Sequence, residues 1–213
     1  MRPILYSFRR CPYAMRARLA VTSAAQSVEL REIVLRQKPA AFLQTSPSGT
    51  VPCLVTDQEE VFDESLDIMV WALKQNDPEG WLAMPTAGWD WISRADGPFK
   101  LALDRTKYAS RYPEEDATVQ RQQAALFLAD LDRQIGSWIF DRPSLADFAI
   151  LPFVRQFAFV DKAWFDAQPW PALQGWLERF LLSPRFLAIM TKYPKWQADD
   201  PVTDFPDLSS SAV

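Results

Sequence analysis

Cys11 is the residue of this chain best placed to do chemistry. It sits in Arg9-Arg10-Cys11-Pro12-Tyr13-Ala14-Met15-Arg16, directly after the apolar run Ile4-Leu5-Tyr6-Ser7-Phe8 and at the start of a segment that reads as a helix. That order puts a thiol at a strand-to-helix turn, beside the first amides of the helix. Pro12 suits a first helical turn, where its missing N–H costs nothing. The helix N-terminus carries partial positive charge, and Arg9, Arg10 and Arg16 add to it. Such a place favours thiolate over thiol, so the segment predicts a reactive sulfur.

The other side chains limit what that sulfur can do. The chain has two cysteines and no histidine. Without histidine the usual general base is missing, and Ser-His-Asp and Cys-His catalysis are excluded. A conventional zinc site is not expected either, so no metal is assigned. Cys53 lies in an apolar, strand-like stretch and reads as a core residue, because free cysteine packs as a small hydrophobe. The position three residues after Cys11 is Ala14, so no local dithiol cycle is available.

Composition sets the frame. The 213 residues are 48% hydrophobic and 23% charged, which allows a sizeable core and argues against global disorder. The net charge of −4 leaves no basic stripe for nucleic acid. No apolar run approaches the roughly 20 residues needed to cross a bilayer. Arg9 and Arg10 interrupt the only early apolar stretch, so no signal peptide is expected and the cytoplasm is the expected compartment.

The elements that must position Cys11 alternate. Ile4 to Phe8, Val28 to Leu35, Val51 to Thr56 and Glu60 to Phe62 read as strands. Pro12 to Ala25 and Glu64 to Lys74 read as helices, with a short helical connection around Phe42 and Leu43. The order is β-α-β-α-β-β-α, with the first two strands parallel across a helical crossover and the last two close enough for a hairpin. Residues 1–76 form this first domain. Residues 77–88, rich in proline and glycine, read as a linker. Residues 89–213 show no further strand pattern and read as an all-helical domain with an extended tail from Pro194, fraying at its final serine run. Ser144-Leu145-Ala146-Asp147 reads as a capping box, and Pro98 and Pro152 are expected to kink or break their helices.

A small α/β domain of this order followed by an all-α domain resembles a cytosolic glutathione transferase, whose first domain is thioredoxin-like. Cys11-Pro12-Tyr13-Ala14 resembles the Cys-Pro-aromatic-Ala motif of the cysteine-type, omega-like and glutaredoxin-2-like branch. Val51-Pro52 resembles the family's cis Val-Pro, whose valine backbone pairs with the cysteinyl part of glutathione. Glu64-Ser65 resembles the pair that holds the γ-glutamyl end, and Lys38 matches a lysine facing the glycyl carboxylate. Tyr13 is counted with these residues around glutathione. The departure is Cys53, which stands where a buried aliphatic is usual.

The resemblance implies glutathione as co-substrate, with a small electrophile or a disulfide as second substrate and a homodimer as the assembly. It implies thiol transfer, in which Cys11 forms a mixed disulfide with glutathione that a second glutathione releases. Two alternatives stay open. Tyr6 or Ser7 would hydrogen-bond the glutathione sulfur and promote conjugation, or the chain binds glutathione without turning it over.

Overall fold

In the computed structural model, which describes residues 2–207, the chain divides into two compact units. Met1–Glu79 and Pro184–Val213 make the first, and Gly80–Ser183 the second.

The first unit is a mixed sheet with helices. It runs β1 (Ile4–Ser7), α1 (Pro12–Ser23), β2 (Val28–Glu32), α2 (Ala40–Thr45), β3 (Cys53–Val55), β4 (Val61–Phe62) and α3 (Ser65–Gln75). β1 pairs with β2 in parallel, Ile4 against Glu29, and with β3 antiparallel, Tyr6 against Cys53. β3 and β4 form the expected hairpin pair. Alternation along β1 decides which side chains meet which layer. On one face Tyr6 and Cys53 are buried with Ile33, Phe42, Val51 and Trp196. α1, packed against α3, is buried nearly all round, and its Arg16 and Arg18 are 1% and 0% exposed.

Arg18 has three hydrogen-bond partners. Its Nε donates to Ser7 Oγ at 2.8 Å, its Nη1 to the Ile189 carbonyl at 3.0 Å, and its Nη2 to the Glu32 carboxylate. Burial lowers its pKa, against the pull of Glu32. Two of these partners come from the returning C-terminal segment or the strand beside it. That segment forms α10 (Pro184–Ile189) and β5 (Asp204–Phe205), and β5 pairs antiparallel with β2. The sheet order is therefore β4-β3-β1-β2-β5.

The tail is thus a correction to the expected layout. From Pro184 the described residues belong with the sheet, not with the helical unit, and they add a strand where none was expected. A two-residue strand has no room for a period-2 signal. The serine run expected to fray lies outside the described residues.

The second unit holds α4 (Ala87–Arg94), α5 (Lys100–Lys107), α6 (Ala117–Gln134), α7 (Leu145–Ala158), α8 (Lys162–Asp166) and α9 (Pro171–Leu182). Much of the expected linker is integral to it. Trp81 is fully buried, stacks on Phe148 at 4.0 Å, and its carbonyl accepts from the Leu145 amide at 3.0 Å. Neither proline breaks its helix. Pro98 sits in a wide π-helical turn, Ala95–Phe99, that joins α4 to α5, and Pro152 lies within continuous α7.

Asp147 explains why α7 starts where it does. Its carboxylate accepts from the Ser144 amide and hydroxyl at 2.9 and 2.8 Å, the Ile139 amide at 2.9 Å and Trp176 Nε1 at 3.1 Å. Aspartate thus fills the capping-box position and ties two further segments to it. Burial pushes its carboxyl above the ordinary range, with the four donors working against that shift. Asp147→Ala strands these donors in the core. It is expected to cost about 3 kcal/mol, since each buried unmet donor costs about 1–3 kcal/mol. Urea unfolding measures it, and a loss below about 1 kcal/mol would show the four bonds to be worth no more than one average bond.

Candidate functional site

Cys11 is the N-cap residue of α1, with φ −77° and ψ 124°, and Pro12 takes the first helical position. Its amide donates to the Phe8 carbonyl at 2.9 Å and its carbonyl accepts from the Met15 amide at 2.9 Å. These bonds fix the sulfur at the open end of the helix. The side chain is partly exposed. In the thiol form Sγ donates to the Val51 carbonyl at 3.6 Å, a long contact that brings together two of the expected site residues.

The three arginines expected around the thiol each make a contact of their own. The Arg9 guanidinium donates to the Met190 carbonyl at 3.2 Å. Arg10 lies over the Phe8 ring at 5.5 Å. Arg16 lies over the Tyr13 ring at 5.9 Å and donates to Ser65 Oγ at 3.4 Å. Each has a partner elsewhere as well, and Cys11 itself stands at the helix N-terminus, whose partial positive charge favours thiolate.

The Val51–Pro52 bond is cis, both residues are buried, and β3 follows at once. The loop before them is braced from Asp63. Its carboxylate accepts from Ser46 Oγ and from the Ser48 amide, each at 2.7 Å. Burial raises the Asp63 pKa, but the hydrogen bonds from Ser48 and Ser46 outweigh it and hold the carboxyl below its ordinary value. Asp63 was not singled out in the sequence. The available signal was a carboxylate just before Glu64-Ser65 and a Ser-Pro-Ser run just before Val51-Pro52.

Glu64 is the exposed N-cap of α3, and its carboxylate makes no capping bond. Ser65, 3% exposed, turns its hydroxyl to Arg16. A buried guanidinium, a hydroxyl and a free-standing carboxylate thus gather at one helix N-terminus. Lys38 stands apart from them, exposed in the turn between β2 and α2.

Tyr6 and Ser7, the alternative sulfur ligands, both lie buried on β1. Ser7 is fully buried and accepts from Arg18. Tyr6 is 2% exposed and its phenol accepts from Arg31 Nη1 at 2.7 Å. Both hydroxyls accept from arginines of other elements.

Cys53 is fully buried, and burial together with the nearby Asp63 carboxylate pushes its pKa up to about 12. Among the described residues no three or more His, Cys, Asp or Glu side chains gather to hold a metal ion, and no helix is long and apolar enough to cross a membrane.

Comparison with known proteins agrees with the fold. Residues 5–80 match the glutathione S-transferase N-terminal domain, and residues 90–179 the glutathione S-transferase C-terminal domain. Glutathione S-transferase omega-1 of Sus scrofa is 38% identical over 61 residues, which are 29% of this chain and 25% of that protein. A probable glutathione transferase of Aplysia californica is 36% identical over 55 residues, 26% of this chain and 60% of that one. The matched segments therefore span less than two thirds of either relative. A glutathione transferase family member from Pseudomonas fluorescens, solved with two glutathione bound, superposes with a TM-score of 0.73 at 19% identity, covering 89% of this chain and 92% of that one.

The two thiols are expected to separate cleanly under iodoacetamide. At neutral pH the folded protein takes one adduct, on Cys11, and Cys53 reacts only in denaturant. The Cys11 rate is expected to rise with pH with a midpoint below the ~8.5 of a free thiol. Peptide mass spectrometry reads both, and native modification of Cys53 or a Cys11 midpoint at or above ~8.5 would contradict the arrangement.

Proposed function

This chain belongs to the glutathione S-transferase family, and from that premise we propose that it is a glutathione-dependent thiol transferase with Cys11 as nucleophile. The observation that carries the proposal is Cys11 itself, a partly exposed thiol at the N-cap of α1 with its sulfur against the Val51 carbonyl. The buried state of Tyr6, Ser7 and Cys53 favours it over conjugation through a hydroxyl and over any second protein thiol. The partial likeness to an omega-1 relative points the same way.

The donors suit a zwitterionic tripeptide. The γ-glutamyl carboxylate is anionic, and the α3 N-terminus with Ser65 and Arg16 favours an anion. The exposed Glu64 carboxylate accepts from the γ-glutamyl ammonium. Lys38 offers charge to the glycyl carboxylate, and the Val51 backbone pairs with the cysteinyl unit. Tyr13, stacked on Arg16, walls the near side.

Two exchanges complete the cycle. Cys11 thiolate attacks the glutathione sulfur of a glutathionylated substrate, the old S–S bond breaks, and the substrate thiolate leaves. A second glutathione thiolate attacks the glutathione sulfur of that mixed disulfide, giving oxidised glutathione and restoring Cys11 thiolate. The lack of histidine is no obstacle, because the helix end and not a base holds the thiolate. The reading includes a homodimer, tested by light scattering. It also includes a cytoplasmic, reducing setting that suits two free cysteines.

Cys11→Ser tests the mechanism. A hydroxyl forms no mixed disulfide, so glutathione-dependent disulfide reduction is expected to fall to background. Full retention of that activity would remove Cys11 from the role of nucleophile. Glutathione binding tests the ligand set separately. Glu64→Ala is expected to weaken it by roughly tenfold in calorimetry, the loss of one hydrogen bond to a charged group. Ser65→Ala is expected to weaken it as well, with part of its effect arising from the loosened Arg16. Unchanged affinity in both variants would exclude this helix end as a contact.

A further inference from the structure

The C-terminal tail does more than add a strand. The Trp196 amide donates to the Glu32 carbonyl at 2.8 Å, at the end of β2. The Trp196 ring is buried in the cluster that holds Tyr6, Phe42 and Val51, and Cys11 packs against that same cluster. The Arg31 guanidinium lies over the ring at 4.4 Å. So the tail is pinned beside the sheet face on which the nucleophile sits.

Lys195 is the residue before that anchor. Its Nζ donates to Gln37 Oε1 at 3.0 Å. Gln37 belongs to the turn after β2, closed by its amide to the Val34 carbonyl at 2.9 Å. The turn is in turn hung from β1, because the Ile33 amide donates to the Ser7 carbonyl at 2.8 Å. Lys38 is the next residue along. The Lys195 ammonium is thereby held at an exposed turn that also carries Arg36 and leads into the exposed Lys38. Of the tail acids that follow, Asp199 and Asp200, the second accepts from the Gln197 amide at 2.7 Å. On a chain of net charge −4, this is a local excess of positive charge beside the nucleophile's end of the sheet.

We infer that Lys195 is a binding residue for the glycyl carboxylate of glutathione, acting beside Lys38, so that the tail completes the substrate site. The inference rests on the glutathione reading above. Lysine is suited to the role: an ammonium on a flexible stem needs no fixed fork geometry to meet a carboxylate, and its contact with a neutral glutamine leaves its charge unspent. Charge attraction at an exposed site is modest and weakens with salt.

Calorimetry with the full chain tests this, with glutathione and γ-glutamylcysteine, which lacks the glycyl unit, as paired probes. Lys195→Ala is expected to weaken glutathione binding by about two- to fivefold at low salt and to leave γ-glutamylcysteine binding unchanged. Lys195→Arg is expected to restore most of the loss. Equal weakening of both peptides in Lys195→Ala would overturn the inference, since a displaced tail would act on both. Unchanged glutathione affinity in Lys195→Ala would also overturn it. A native chain that binds neither peptide would overturn the glutathione reading itself, and the role of Lys195 with it.

Discussion

The ion pair between Arg18 and Glu32 is the constraint on which the first unit depends. Taking a guanidinium out of water costs several kcal/mol, and a buried charge left without its partner is destabilising by about 3–5 kcal/mol. Here the cost is offset by Ser7, Ile189 and Glu32 as acceptors and by the Tyr193 and Phe205 rings at 5.9 and 5.7 Å. Those five partners come from β1, β2, α10, the tail and β5. Glu32 has a second task. Its other oxygen accepts from the Arg9 amide at 2.7 Å, two residues before Cys11. One carboxylate thus neutralises the buried cation and fixes the approach to Cys11.

The same unit holds two thiols with opposite prospects. Cys11 stands at a helix end with part of its surface open, and Cys53 is sealed in the core beside an anion. Residue type says nothing of this difference. Placement relative to a helix dipole, a carboxylate and water decides it.

Much of that placement was legible in the chain. A β-strand pattern, then cysteine, then Pro12 in a helical segment locates Cys11 by local signals alone, and the alternation of the first four strands and three helices followed from spacing. What escaped notice acts over long separations. Arg18 meets Ile189, 171 residues away, and Tyr6 is claimed by an arginine 25 residues on. Arg16 and Arg18 are both buried, and nothing within one turn of them in the chain reveals it. β5 is two residues long and takes its conformation from the edge of β2, not from its own pattern. At the Val51 loop the legible part was the Val-Pro pair. The brace from Asp63 had to be seen in three dimensions.

The return of the tail also bears on how the molecule is made. Synthesis runs from the N-terminus and domains generally fold as they emerge. The first four strands and three helices of the sheet unit leave the ribosome first, but α10, Trp196 and β5 come only after the whole helical unit. In the interval the outer edge of β2 is an open row of backbone donors and acceptors. The acceptor at Ile189 has not yet reached Arg18, and the cluster around Tyr6 lacks its indole lid. The helical unit, continuous in the chain, has no such wait. Of the two units, the one that carries Cys11 emerges before the helical unit and becomes complete after it.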